Sequence, residues 1–155
     1  LLPGEMLEKT LFTGFGEYFS KAPLSWIVRP MRIILTGTGR TSAESIRLAT
    51  EGLNRGYSVC IFPEGERTST GTIMKPRIGA GLLSVETDTP IIPIYIDGAT
   101  NTLSPINPGL SFPKVRVTVM DPIEPASGEK EVRDLYEETV NIWFEDMQKM
   151  ERNKI

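Results

Sequence analysis

Residues 57–68 join a short apolar, β-prone run, Tyr57-Ser58-Val59-Cys60-Ile61-Phe62, to a turn of charged and small residues, Pro63-Glu64-Gly65-Glu66-Arg67-Thr68. A strand stopped by Pro63 and Gly65 delivers the polar residues to the edge of a sheet, where α/β folds bind their ligands. The composition suits an anion. Arg67 can make paired hydrogen bonds to a phosphate, Thr68 adds a hydroxyl, Gly65 permits close backbone approach, and Glu64 can orient a polar substrate group or fix Arg67. Lys75 and Arg77 add positive charge nearby in sequence, enough to attract a phosphorylated ligand. The plainer alternative is a turn made by Pro63 and Gly65, with Glu64, Glu66, Arg67, Lys75 and Arg77 as solvated charges.

The sequence contains no histidine. This removes imidazole general bases, Ser/His triads and every zinc site that needs an imidazole ligand, and no metal site is expected. The single cysteine, Cys60, cannot form an internal disulfide. It lies in the apolar run with no histidine to activate it, so it reads as a core residue rather than a thiolate nucleophile. Gly37-Thr38-Gly39 after a strand has the opening of a dinucleotide fingerprint, but Ser42 stands where the third glycine belongs, and a lone Gly-x-Gly is common in turns.

The elements that must position these residues alternate. A strand is expected over Arg32–Leu35. A helix from about Ser42 to Arg55 follows from the capping-box spacing of Thr41 and Glu44, the apolar stripe Ile46, Ala49 and Leu53, and Gly56 as a stop. The Tyr57–Phe62 strand comes next, then a helix over Ile78–Glu86, a turn at Asp88–Pro90, and a strand over Ile91–Ile96 in which Pro93 lacks a ladder donor and marks an edge or a bulge. Val115, Val117 and Val119 alternate with Lys114, Arg116 and Thr118, the pattern of a strand with one buried face. Leu7, Leu11, Phe12, Phe15 and Phe19 recur at helical spacing and predict a helix or broken helix, interrupted by Gly14 and Gly16. Gly98–Pro113, rich in proline, reads as a long functional loop. Val132, Tyr136, Val140, Trp143, Met147 and Met150 form the stripe of a C-terminal amphipathic helix over 128–151, packed outside the domain.

This order predicts an α/β fold with a mixed, partly parallel sheet flanked by helices. At 155 residues, 39% hydrophobic and 24% charged, one domain spanning 1–155 is expected. The net charge of −3 divides unevenly, with +2 over residues 1–120 and −5 over 121–155. The low pI of about 5.1 disfavours nucleic acid as a partner. No apolar run is long enough to cross a membrane, and Glu5 and Glu8 stand where a signal peptide needs positive charge. A cytoplasmic chain is expected, with peripheral attachment open to it. Leu24, Trp26, Ile27 and Val28, among Lys21, Arg29 and Arg32, form an apolar patch with basic flanks. It suits either an anionic membrane surface or burial against the sheet with snorkelling basic ends.

The string Phe62-Pro63-Glu64-Gly65-Glu66-Arg67-Thr68 resembles the Phe-Pro-Glu-Gly-x-Arg-(Ser/Thr) signature, or FPEG motif, of the glycerolipid acyltransferases, the lysophosphatidic acid acyltransferase family. Lys75-Pro76-Arg77-Ile78-Gly79-Ala80 and Ile92-Pro93-Ile94 are similar to the family's next two blocks in order and interval. About Leu11 to Pro122 looks like such a domain, and Glu66 gives the signature a form similar to domains fused to acyl-CoA or acyl-carrier-protein synthetases.

The resemblance implies a glycerol-3-phosphate acyltransferase-like fold and a role in phospholipid biosynthesis or remodelling. It implies transfer of an acyl group from acyl-CoA or acyl carrier protein, as co-substrate, to the hydroxyl of a glycerol phosphate or lysophospholipid, with no further cofactor. Glu64, Gly65, Arg67 and Thr68, with Lys75, would hold the acceptor's phosphate end. Pro93 would help to shape the site, and Arg40 would stand for the arginine of the family's second block, which is matched poorly by Ile33–Arg40. The family's base is a histidine in His-x-x-x-x-Asp, and both of these residues are missing here. Family order places that block just before Leu1, so the segment is expected to be an N-terminally incomplete domain, inactive alone. The alternative is a non-catalytic module that binds a lipid or CoA phosphate.

Overall fold

The computed structural model describes residues 4–16, 26, 28, 30–37, 42–65, 72–99, 114–129 and 131–152. Its elements run α1 (Gly4–Glu8), β1 (Thr10–Phe15), β2 (Ile33–Thr36), α2 (Ser42–Asn54), β3 (Ser58–Cys60), α3 (Gly79–Thr87), β4 (Ile94–Asp97), β5 (Arg116–Val119) and α4 (Val132–Arg152). The architecture is mixed α/β, with a three-stranded parallel sheet in the order β2-β1-β3 and an antiparallel β4-β5 ribbon.

Strand β1 is central, pairing Phe12 with Ile33 on one side and Thr10 with Ser58 on the other. The connection from β2 to β3 therefore passes over β1 through α2, the usual way to join parallel strands. The helix crosses β1 closely at Gly52, against which the tip of the Leu11 side chain rests. Ile34, Ala49 and Leu83 form the buried centre, with Leu11, Ile46, Leu53, Val59 and Ile61 packed around them.

The expected Leu7–Phe19 helix is corrected. Among the described residues of that stretch Gly4–Glu8 is helical and Leu11 and Phe12 belong to β1, with helix again at Gly16, while Phe19 lies outside the described residues. A spacing of four satisfies both periods, because residues four apart share a helix face and also a strand face. Strand pairing on both sides of Thr10–Phe15 decides between them. Helix α2 matches its expected start at Ser42, while Thr41 of the capping box lies outside the described residues. Helix α3 ends at a left-handed Asp88, φ 49°.

Pro93 breaks its strand as expected. Ile91 bridges Ile123, regular pairing resumes at Ile94, and the Pro93 carbonyl accepts from the Met120 N–H at 3.0 Å. The valine pattern is also corrected. Val115, Val117 and Val119 are all exposed, as are Ile94 and Ile96 on the same face of the ribbon, while Tyr95 on the opposite face is buried. Alternation separates two faces; it does not say which one the core covers.

Helix α4 packs on α3 and runs close to the expected span. Its buried residues are Leu135, Thr139, Val140 and Met147, with Val132 left exposed, so the seam is rotated toward Leu135. Gly81 is where the helices touch, since a Cβ on it would meet the Tyr136 carbonyl oxygen at 2.2 Å. Thr139 is fully buried and satisfied: its hydroxyl donates to Leu135 O at 2.9 Å and accepts from the Ala126 N–H at 3.1 Å.

Candidate active site

Because β1, β2 and β3 are parallel, their C-terminal ends share one edge. Phe15 pairs with Thr36 there, and the chain leaving β3 turns at Pro63 and Glu64. This is the edge of an open parallel sheet where ligands bind. Phe62 is 62% exposed there, an apolar side chain beside the polar turn.

The turn closes through the Gly65 N–H, which donates to Phe62 O at 3.1 Å, with Gly65 at φ +76°, where side chains other than hydrogen are disfavoured. Residues 72–77 then run back across it in extended form as a strap. The Met74 N–H donates to Glu64 Oε2 at 2.8 Å, and the Arg77 N–H donates to Pro63 O at 2.8 Å. A third tie comes from the far end of α4, whose Glu151 carboxylate accepts from the Ile73 N–H at 3.3 and 3.4 Å.

The strap buries Pro76 and exposes Lys75 and Arg77 on either side of it. Among the described residues neither cation has a carboxylate partner, so their field is available to an anion. A shallow concavity along α4, lined by Asp134, Glu137, Glu138 and Glu145, is the opposite environment, since its carboxylates would repel a phosphate.

Of the residues expected at the site, the fold brings Glu64, Gly65 and Lys75 together through the turn and the strap. Arg40, Arg67 and Thr68 lie outside the described residues. Pro93 is buried at the entrance to β4, where it sets the start of that strand. Glu64 is committed to a main-chain N–H, which makes it a fastener of the strap. Sequence reasoning missed the ties from Arg77 and Glu151. The proline between two cations hinted at an extended strap, but nothing in the α4 sequence marked Glu151, 78 residues from Ile73.

Cys60 is half-buried and its sulfur carries no disulfide. Desolvation pushes its thiol pKa up, away from a thiolate. Of the apolar patch, Trp26 is 74% exposed and Val28 is half-buried, while Leu24 and Ile27 lie outside the described residues. The Val28 carbonyl accepts from the Ile33 N–H at the start of β2, so this segment adjoins the strand end opposite the turn. Among the described residues no helix is long and apolar enough to cross a membrane.

A family model described as acyltransferase matches residues 4–97. The chain is 27% identical over 107 residues to the chloroplastic 1-acyl-sn-glycerol-3-phosphate acyltransferase BAT2 of Brassica napus, a match covering 66% of this chain and 31% of that protein. Its fold is similar to the crystal structure of the 1-acyl-sn-glycerophosphate (LPA) acyltransferase PlsC from Thermotoga maritima. The TM-score is 0.65 at 23% identity, over 90% of this chain and 57% of that one. The chain thus spans about a third of the plant protein's length and just over half of the bacterial one's. The matched stretch is more than half of the 155 residues and runs from α1 through the Pro63–Gly65 turn and its strap to β4, and by that match the chain belongs to the acyltransferase family.

Proposed function

We propose that this domain binds the phosphate end of a glycerol phosphate or lysophospholipid and serves its acylation by an acyl-CoA or acyl-carrier-protein thioester. The observation that carries this reading is the Pro63–Gly65 turn at the C-terminal edge of the parallel sheet, overlaid by a strap with two exposed cations. In the reaction the acceptor hydroxyl oxygen attacks the thioester carbonyl carbon. The tetrahedral oxyanion collapses, the C–S bond breaks, and the thiol leaves with the proton taken from the hydroxyl. Gly65, Arg67, Thr68 and Lys75 orient the acceptor through its phosphate, Glu64 holds the strap that carries Lys75, Arg40 adds a further arginine for the phosphate, and Pro93 helps to shape the site.

A hydroxyl is a weak nucleophile without a base, and a general base contributes roughly 10²–10⁴-fold. None of these 155 residues is a histidine, so they do not themselves supply the base of the family's His-x-x-x-x-Asp block. The segment alone is therefore expected to bind phosphorylated acceptor without turning it over, and a longer chain carrying that block is expected to acylate it. Full activity of the 155-residue chain would overturn this. In the longer chain, Arg67→Ala should raise the acceptor KM, by about 1.5–3 kcal/mol if its charged hydrogen bonds are realised. An unchanged KM removes Arg67 from the site.

The lack of histidine also favours a second reading, a non-catalytic module for a lipid or CoA phosphate. Binding does not separate the two. The codons before Leu1 do: His-x-x-x-x-Asp within about a dozen residues favours the enzyme, and an unrelated sequence favours the module.

A further inference from the structure

Arg77 lies ten residues beyond Arg67, outside the Pro-Glu-Gly turn, yet the fold returns it to that turn. Its N–H is fixed to Pro63 O at 2.8 Å, and its side chain runs across Gly65. A Cβ at position 65 would stand 2.6 Å from Arg77 Nε, 2.9 Å from Cζ and 3.1 Å from Cδ. A Cβ there would displace the guanidinium from where it lies, so Gly65 serves the turn through its φ of +76° and also leaves the space that Arg77 takes up.

Of the other described arginines, all but Arg116 on β5 are occupied. Arg47 and Arg55 pair with Glu51, Arg133 pairs with Glu137, and Arg32 lies over the Tyr57 ring. Arg77 is exposed and has no carboxylate partner among the described residues. A guanidinium whose own backbone is tied to the turn and that lacks a carboxylate partner is held near the turn with its donors open to an anion. Its fork geometry matches a phosphate through two parallel hydrogen bonds.

Resting on the function proposed above, we infer that Arg77 is a specificity-determining residue that binds a phosphate group of one of the two substrates from its seat on Gly65. That phosphate belongs either to the glycerol phosphate acceptor or to the CoA of the donor. The two sources separate by titrating the 155-residue chain calorimetrically with glycerol 3-phosphate, with CoA and with dephospho-CoA.

Arg77→Ala is expected to weaken one of these ligands by about 10- to 100-fold, with Arg77→Lys recovering part of the loss because it keeps the charge and loses the fork. Loss confined to glycerol 3-phosphate assigns the acceptor. Loss for CoA assigns the donor, and sparing of dephospho-CoA locates the contact at the 3′-phosphate. Gly65→Ala should reproduce the loss and add little to Arg77→Ala in the double variant, because both remove the same seated guanidinium. If Gly65→Ala does not fold, the Arg77→Ala and Arg77→Lys pair decides alone, since Arg77 is a surface side chain. Unchanged affinities in Arg77→Ala, with Arg67→Ala still weakening binding, overturn the inference and leave the proposed function standing. Failure of the native chain to bind any of the three ligands overturns both.

Discussion

Glu64 and Cys60 flank the same turn, and each has a role its residue type alone does not announce. A carboxylate after Pro63 invites a reading as a substrate contact, but its Oε2 accepts the Met74 N–H and holds the strap that carries Lys75 and Arg77. Cys60 lies two residues before Phe62 in the strand, half-buried, and desolvation raises its pKa above the ordinary 9.0. A raised pKa leaves less thiolate at any pH below it. Iodoacetamide at pH 8 should therefore alkylate folded Cys60 more slowly than the urea-unfolded chain, and equal rates would show a thiol open to solvent. The same shift makes the neutral thiol the favoured folded form: its stabilisation is present below about 9 and is lost as pH rises through the higher folded value. At this scale the sequence was most legible where a residue's chemistry is local. The Pro-Glu-Gly turn, the strand break at Pro93 and the apolar setting of Cys60 could all be read from neighbours in the chain. The partners of Glu64, Arg77 and Glu151 could not, because each is chosen by tertiary packing.

Helices α3 and α4 show what periodicity can and cannot carry. The stripe of α4 was legible from Tyr136 to Met147, yet its seam is rotated toward Leu135 because contact with α3 is set by Gly81. Gly81 is buried, and an added methyl would overlap the Tyr136 carbonyl oxygen and come within 2.9 Å of Val140 Cγ2. Backbone cannot move aside as a side-chain tip can. Gly81→Ala should destabilise the domain by about 1–3 kcal/mol, lowering Tm by about 2–12 °C in a thermal melt. A melt that matches the native protein would mean the helices separate freely. Tyr136 also donates its hydroxyl to Glu86 across the same interface, which raises the phenol pKa. The two elements read wrongly failed for one physical reason. Leu11 and Phe12 fit a helix stripe, and Val115, Val117 and Val119 fit a buried strand face, but neither pattern contains the neighbour that decides it. Leu11 meets α2 at Gly52, and the valines stand on the face opposite Tyr95.

Across the whole molecule the Pro63–Gly65 turn and the Trp26–Val28 segment adjoin opposite ends of the parallel strands. If this segment rests on a bilayer, Trp26 is the side chain best placed to enter it, being 74% exposed and amphipathic. Trp26→Ala should then lower co-sedimentation with anionic phosphatidylglycerol vesicles, whereas a variant that sediments as the native chain does would remove the patch as a membrane contact. The α/β class and the alternation of elements were legible because crossover helices leave strong periodic signals. The sheet order was not, since pairing partners are chosen by distant segments. Strand β1 sits between two partners that emerge later: Thr10 must find Ser58, 48 residues further on. At a synthesis rate of about 5–20 residues per second the ribosome takes about 2–10 s to deliver that partner. Through that interval Leu11 and Phe12 have no complete sheet to enter, and the parallel sheet closes only after β3 has cleared the exit tunnel.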